Sequence, residues 1–101
     1  MREWAILNEE LGEKMPLFMN HESARIWFKK EFGKQFVMVD TRIQNGVKFY
    51  VYHLVLNKIT YVKSMNAIRE GIPFVQSEFN NSYIEIEISE EGFVFLNERS
   101  A

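Results

Sequence analysis

The dipeptide Asn45-Gly46, which lies between two extended runs rich in β-branched and aromatic residues, constrains the fold more than any other feature of the sequence. Asn-Gly is the strongest short-range signal for a β-hairpin, because both residues accept the positive φ angles that a tight turn needs. Residues 36–56 are therefore predicted to form two antiparallel strands.

The register of this hairpin decides which side chains share a face. A two-residue turn would set Ile43 opposite Lys48 and mix apolar and polar residues on both faces. A three-residue loop over 44–46 pairs Ile43 with Val47 and gives one nearly apolar face, although it sets Arg42 opposite Lys48. The three-residue loop is predicted, because burial of each large apolar side chain is worth about 1.5–3 kcal/mol. The two-residue turn is the alternative.

One helix is predicted before the hairpin in the chain, and a second helix is predicted after it. Asn20 is a suitable N-cap for the first helix, and Gly33 suits the position after its last turn. One face of this helix carries the apolar residues Ala24, Trp27, Phe28 and Phe32. The second helix is predicted over residues 57–70, with Asn57 as its cap and with Gly71 and Pro73 ending it.

The remaining segments are predicted to be short strands at residues 3–8, 14–18, 74–79, 83–88 and 93–97. The alternation over 83–88 predicts isoleucines on the inside and glutamates on the outside. The predicted fold is α+β in the order ββ-α-ββ-α-βββ. It has a mainly antiparallel sheet of about five to seven short strands, with two helices packed on one face. Whether the N-terminal segment joins this sheet is left open.

The composition is that of a globular protein, with 47% hydrophobic and 26% charged residues in 101. This length predicts a single domain over residues 1–101. Cysteine is absent, which excludes disulfides and thiolate metal sites. No apolar run approaches the roughly 20 residues of a membrane span, and the first residues lack the apolar stretch of a secretory signal. A soluble, cytoplasmic protein without membrane association is expected.

The charges are segregated along the chain. Residues 14–69 hold ten basic against three acidic residues, and residues 70–101 hold one basic against seven acidic. This asymmetry indicates either a basic surface for an anionic partner or basic and acidic strands that neutralise each other. Neutralisation is the favoured interpretation, because neither segment contains a run of consecutive like charges.

The sequence gives little support for catalysis. Neither His21 nor His53 has a second histidine at metal-ligand spacing, and the isolated glycines form neither a nucleophile elbow nor a phosphate-binding loop. Glu85 and Glu87 lie about 7 Å apart on one strand, a separation that acid–base chemistry could use, but alternating strands produce such pairs routinely. No enzymatic activity, metal or cofactor is predicted.

The candidate binding surfaces lie on the predicted strands. The outer face of the hairpin is predicted to carry Arg42, Lys48, Tyr50 and Tyr52, and a second acidic patch to carry Glu85 and Glu87. Aromatic residues and arginine are enriched in protein interfaces. The predicted function is therefore a non-enzymatic module that mediates a protein–protein interaction, as an adaptor, inhibitor or regulator, or self-association through an edge strand.

Single-stranded RNA or DNA binding is the alternative function. Bases would stack on the rings of Tyr50 and Tyr52 while Arg42 and Lys48 contact phosphates. Asp40 and the sequence pI of about 5.7 count against it.

Overall fold

The computed structural model describes residues 15–97, in which a four-stranded antiparallel sheet carries helices on both faces. The strands lie side by side in chain order as β1 (Phe36–Gln44), β2 (Val47–Val55), β3 (Tyr83–Ser89) and β4 (Val94–Asn97). The helices are α1 (His21–Phe32), α2 (Lys58–Glu70) and α3 (Gln76–Asn80), and a 3-10 turn, Gly33–Gln35, joins α1 to β1.

The α+β class with an antiparallel sheet is confirmed, but the predicted element order is not. The described residues follow the order α-β-β-α-α-β-β and hold four strands instead of about five to seven. The predicted strand at 3–8 lies outside the described residues.

Helix α1 begins and ends where its caps predict. The Asn20 side chain accepts a hydrogen bond from the Ser23 backbone N–H at 2.9 Å, and Ala24 and Phe28 are buried. The predicted strand at 14–18 is wrong in its described part, because this segment leads directly into the helix. The Phe18 ring packs on Trp27 with centroids 5.8 Å apart.

The turn of the central hairpin has two residues, so the predicted three-residue loop is wrong. Asn45 and Gly46 both have positive φ, 53° and 78°, and Gln44 lies opposite Val47. A β-bulge between Met38 and Asp40 then shifts the register by one residue. Because of this shift, the hairpin can have a two-residue turn and still place Phe36 opposite Leu54, so that both side chains are buried on the same face.

The two longer helices lie on opposite faces of the sheet, not on one face as predicted. Helix α1 covers the face that we term the α1 face. Its buried cluster contains Ala24, Phe28, Phe36, Tyr52, Leu54, Ile84, Ile86 and Ile88. Helices α2 and α3 cover the Val55 end of the other face, the α2 face, where the buried cluster contains Val55, Tyr61, Phe79 and Tyr83. Both faces of the sheet carry apolar side chains that a helix covers.

Helix α2 agrees with its prediction, but the segment after it does not. The Asn57 side chain caps α2 by accepting from the Thr60 backbone N–H at 3.1 Å, and Gly71 ends it in the left-handed conformation. The predicted strand at 74–79 is wrong, because residues 76–79 belong to helix α3 and residues 74–75 lead into it. The Val75 carbonyl accepts from the Phe79 N–H at 3.1 Å, which turns the Phe79 ring onto Tyr83, with centroids 4.9 Å apart.

Candidate functional site

The four predicted binding residues of the hairpin do not form one surface. Arg42 lies opposite Phe49 and so belongs to the α2 face, whereas Lys48, Tyr50 and Tyr52 alternate onto the α1 face. The prediction that they share a face is wrong, because it rested on the three-residue loop. A one-residue difference in register sends every side chain of a strand to the opposite face.

The two tyrosines pack against the start of α1. Tyr52 is 1% exposed and shares a hydrogen bond of 2.7 Å with His21 Nε2, while the Tyr50 ring stacks on the His21 imidazole at 3.5 Å. The Lys48 ammonium lies over the Tyr50 ring at 4.9 Å. Tyr52 is therefore part of the core, and one side of the Tyr50 ring is already occupied.

The protonation states of this contact follow from burial. Burial has the largest effect on the pKa of His21 and lowers it. Arg25 and Lys48 lower this pKa further, whereas Glu22 and Glu90 raise it. Burial also raises the pKa of Tyr52 to about 12. A neutral imidazole and a neutral phenol therefore meet between α1 and β2. This contact is suited to holding the helix on the sheet.

The second predicted patch joins Arg42 on the α2 face. The Arg42 guanidinium donates to Glu87 at 3.1 Å and to Glu85 at 3.5 Å. The Asn97 amide donates to Glu87 at 2.9 Å and to Glu85 at 3.1 Å. Glu85 is only 5% exposed, so the prediction that both glutamates point outward is wrong. This cluster of Arg42, Glu85, Glu87 and Asn97, the ionic cluster, reaches from β1 to β4.

The ionic cluster pairs the Arg42 guanidinium with two carboxylates. Arg42 from the basic part of the chain meets two glutamates from the acidic part, as the neutralisation hypothesis expects for these residues. Each carboxylate accepts from both a guanidinium and an amide, so both are held in place by two neighbours. Such a network fixes the strands relative to one another.

His53 lies on the same face, next to the ionic cluster. It is opposite Glu85 in the β-ladder, shares a hydrogen bond of 2.9 Å with the Tyr61 hydroxyl and stacks on Tyr83 at 3.9 Å. Burial raises the pKa of Tyr61, and Tyr83 adds to this effect. Within residues 15–97, no three histidine or acidic side chains are placed to hold a metal ion.

A groove between α2 and the segment leading to α3 exposes a group of apolar side chains that meet around one cavity. We term it the apolar groove; its volume is about 350 Å³. Its apolar lining consists of Ile59, Ala67, Ile72, Pro73, Phe74 and Val75, and Lys63 and Glu78 also line it. Ile59 is 82% exposed, Ile72 51% and Val75 54%.

The fold forms this groove for local reasons. Helix α2 buries Tyr61 and Ser64, which leaves Ile59 on the adjoining, outer side. Gly71 stops the helix, and the Ile72 N–H donates back to the Ala67 carbonyl at 2.9 Å. The chain therefore turns back alongside α2 and brings Phe74 and Val75 opposite Ile59.

The sequence contains one local signal for this groove. Ile72-Pro73-Phe74-Val75 is an apolar run directly after a helix stop. Its last two residues begin the predicted strand at 74–79, whose alternate side chains would be buried in the sheet. Only the three-dimensional position of α3 shows that the run lies at the surface.

Comparison with protein-family models, curated proteins and solved structures gives no match to this chain. None of the helices in residues 15–97 is long and apolar enough to cross a membrane.

Proposed function

We propose that this chain is a non-enzymatic protein-binding module and that the apolar groove is its contact surface. The observation that carries this proposal is the exposure of Ile59, Ile72 and Val75 around a single cavity. Isolated apolar residues on a surface need no explanation, but a cluster of them around a concavity is typical of a protein-interaction site. Docking of a partner would remove this surface from water.

The concave shape favours a segment of another protein over a second copy of this chain. A symmetric dimer needs a self-complementary patch, in which the same surface meets itself. A groove meets another groove poorly, but it accepts a projecting apolar side chain. The occupant is therefore a peptide segment with two or more apolar anchors. Lys63 and Glu78 offer it one charge of each sign.

Self-association through an edge strand has less support. Strand β1 is one edge of the sheet, and Met38 and Ile43 are exposed there. The bulge between Met38 and Asp40 interrupts the ladder in the middle of this edge. Bulges of this kind protect edge strands against pairing with other chains.

The described geometry also favours protein over single-stranded nucleic acid. A base-stacking surface needs open aromatic rings beside free cations. Tyr52 is buried, Tyr50 is stacked on His21, and Arg42 is bound to two glutamates.

A peptide-display selection tests the proposal. A library of random short peptides is selected on the wild-type protein, and the enriched peptides are measured against Ile59→Ser and Ile26→Ser. Both positions are exposed isoleucines on helices, but only Ile59 lines the groove. We expect Ile59→Ser to weaken binding about tenfold, the effect of losing one important contact, and Ile26→Ser to leave it unchanged.

Two results would overturn the proposal. One is a selection that enriches no peptide over a bare support. The other is a set of peptides whose affinity is the same for Ile59→Ser as for wild type, because such peptides bind elsewhere.

A further inference from the structure

A second cavity lies on the other side of the start of α2. It forms where the 3-10 turn, the beginning of β1, the end of β2 and the first turns of α2 meet, and its volume is about 360 Å³. We term it the lysine pocket. Its main lining residues are Lys34, Lys58, Val37, Val55, Tyr61 and Val62. The Gln35 amide, which donates to the Val55 carbonyl at 3.0 Å, holds the turn at one wall.

The lining of the lysine pocket has two chemical parts. Val37, Val55 and Tyr61 belong to the hydrophobic cluster under α2 and form an apolar wall. Lys34 and Lys58 are exposed and bring two positive charges. In the part of the chain that the structure describes, no acidic residue lines the cavity, and neither lysine forms an ion pair.

We propose that the lysine pocket binds a small organic anion with an apolar tail, of the class of medium-chain fatty acids. The tail lies on Val37, Val55 and Tyr61, and the carboxylate lies between Lys34 and Lys58. The volume is at the lower end of the range for small-molecule sites, which extends from about 300 to 1,000 Å³. A single short chain fits this space, whereas a two-chain lipid does not.

This site is independent of the proposed protein-binding function. The lysine pocket and the apolar groove lie on opposite sides of the first turns of α2 and share no lining residue. Variants of one are therefore controls for the other. Loss of peptide binding says nothing against anion binding, and the reverse also holds.

The first test is a titration of isotope-labelled protein with decanoate, followed by the backbone amide resonances and by calorimetry. Decanol and decylammonium are the neutral and cationic comparisons with the same tail. We expect saturable binding of decanoate at one site, with the largest shifts at residues 34–37 and 55–62. We expect weaker binding of decanol and none of decylammonium, because both lysines repel it.

The second test uses variants in the pocket. Lys34→Ala combined with Lys58→Ala removes both cations and is expected to weaken decanoate binding about fivefold to tenfold, the effect of two exposed charge pairs. Val62→Trp places a larger side chain at a half-exposed position of the lining and is expected to block the cavity without unfolding the protein. Lys63→Ala, on the same helix but outside the pocket, is the matched control and should bind as wild type does.

Several results would overturn the proposal. They are equal binding of decanoate and decylammonium, shifts centred away from the pocket, and an effect of Lys63→Ala as large as that of the double variant. Binding to vesicles of anionic lipid without binding of free decanoate would also overturn it, since the ligand would then be a membrane surface.

Discussion

The two faces of the sheet bury their side chains by different means. On the α1 face, one twelve-residue helix covers a cluster of aromatic and aliphatic side chains, and the polar groups of His21 and Tyr52 satisfy each other. On the α2 face, an ionic cluster lies beside a smaller aromatic cluster, and the helices above it leave apolar side chains exposed. The comparison teaches that the α1 face is a packed core, while both of the proposed binding surfaces lie on the side of α2.

The largest loss of stability is expected for a substitution in the core of the α1 face. Phe28 is fully buried and stacks on Phe36 with centroids 4.9 Å apart. Phe28→Ala should lower the free energy of unfolding by about 3–5 kcal/mol, because it leaves a cavity in a packed core. Urea unfolding measures this loss. Ile26→Ala, at an exposed position of the same helix, is the control and should stay within about 0.5 kcal/mol of wild type.

The next effect tests whether the ionic cluster holds the α2 face together. Arg42→Ala removes the guanidinium that contacts the buried Glu85 and the partly buried Glu87 and should lower the free energy of unfolding by about 1–3 kcal/mol. Arg25→Ala removes an exposed pair with Glu22 and should cost no more than about 0.5 kcal/mol.

A double-mutant cycle sharpens this prediction. In a Glu87→Gln background, Arg42→Ala should cost less than in wild type, because one of the two carboxylates no longer carries a charge. Equal losses for Arg42→Ala and Arg25→Ala would show that the cluster contributes no more than a surface ion pair.

The smallest expected effect is a pH dependence of the free energy of unfolding, which arises from His21 on the α1 face. Burial lowers the pKa of His21 in the folded state, so unfolding takes up a proton at acidic pH. The contribution of His21 is full above its unfolded pKa of 6.5 and is lost as the pH falls below that value and through the lower pKa of the folded state. Wild type should therefore lose more stability than His21→Phe between about pH 7.5 and 5.5. Parallel pH profiles would contradict this account.

The local features of the fold could be predicted from the sequence. The caps Asn20 and Asn57 mark the starts of α1 and α2, Asn45-Gly46 marks the turn, and the alternation of β3 gives its buried isoleucines. Each of these depends on residues that are close together in the chain.

Features that depend on distant residues could not be predicted. No local sequence pattern predicts the bulge between Met38 and Asp40, although this bulge determines on which face of the sheet the preceding residues of β1 lie. The burial of Glu85 depends on Arg42 and Asn97, which lie on other strands. The apolar groove depends in the same way on how Phe74 and Val75 return alongside α2.

The most direct test of the central claim is a map of amide chemical shifts for isotope-labelled protein bound to a peptide selected on the wild type. The account predicts that the largest shifts fall on Ile59 and its neighbours in α2 and on residues 72–78, with little change in α1. Shifts concentrated at Lys48 and Tyr50, or at the start of α1, would place binding on the α1 face and contradict the account.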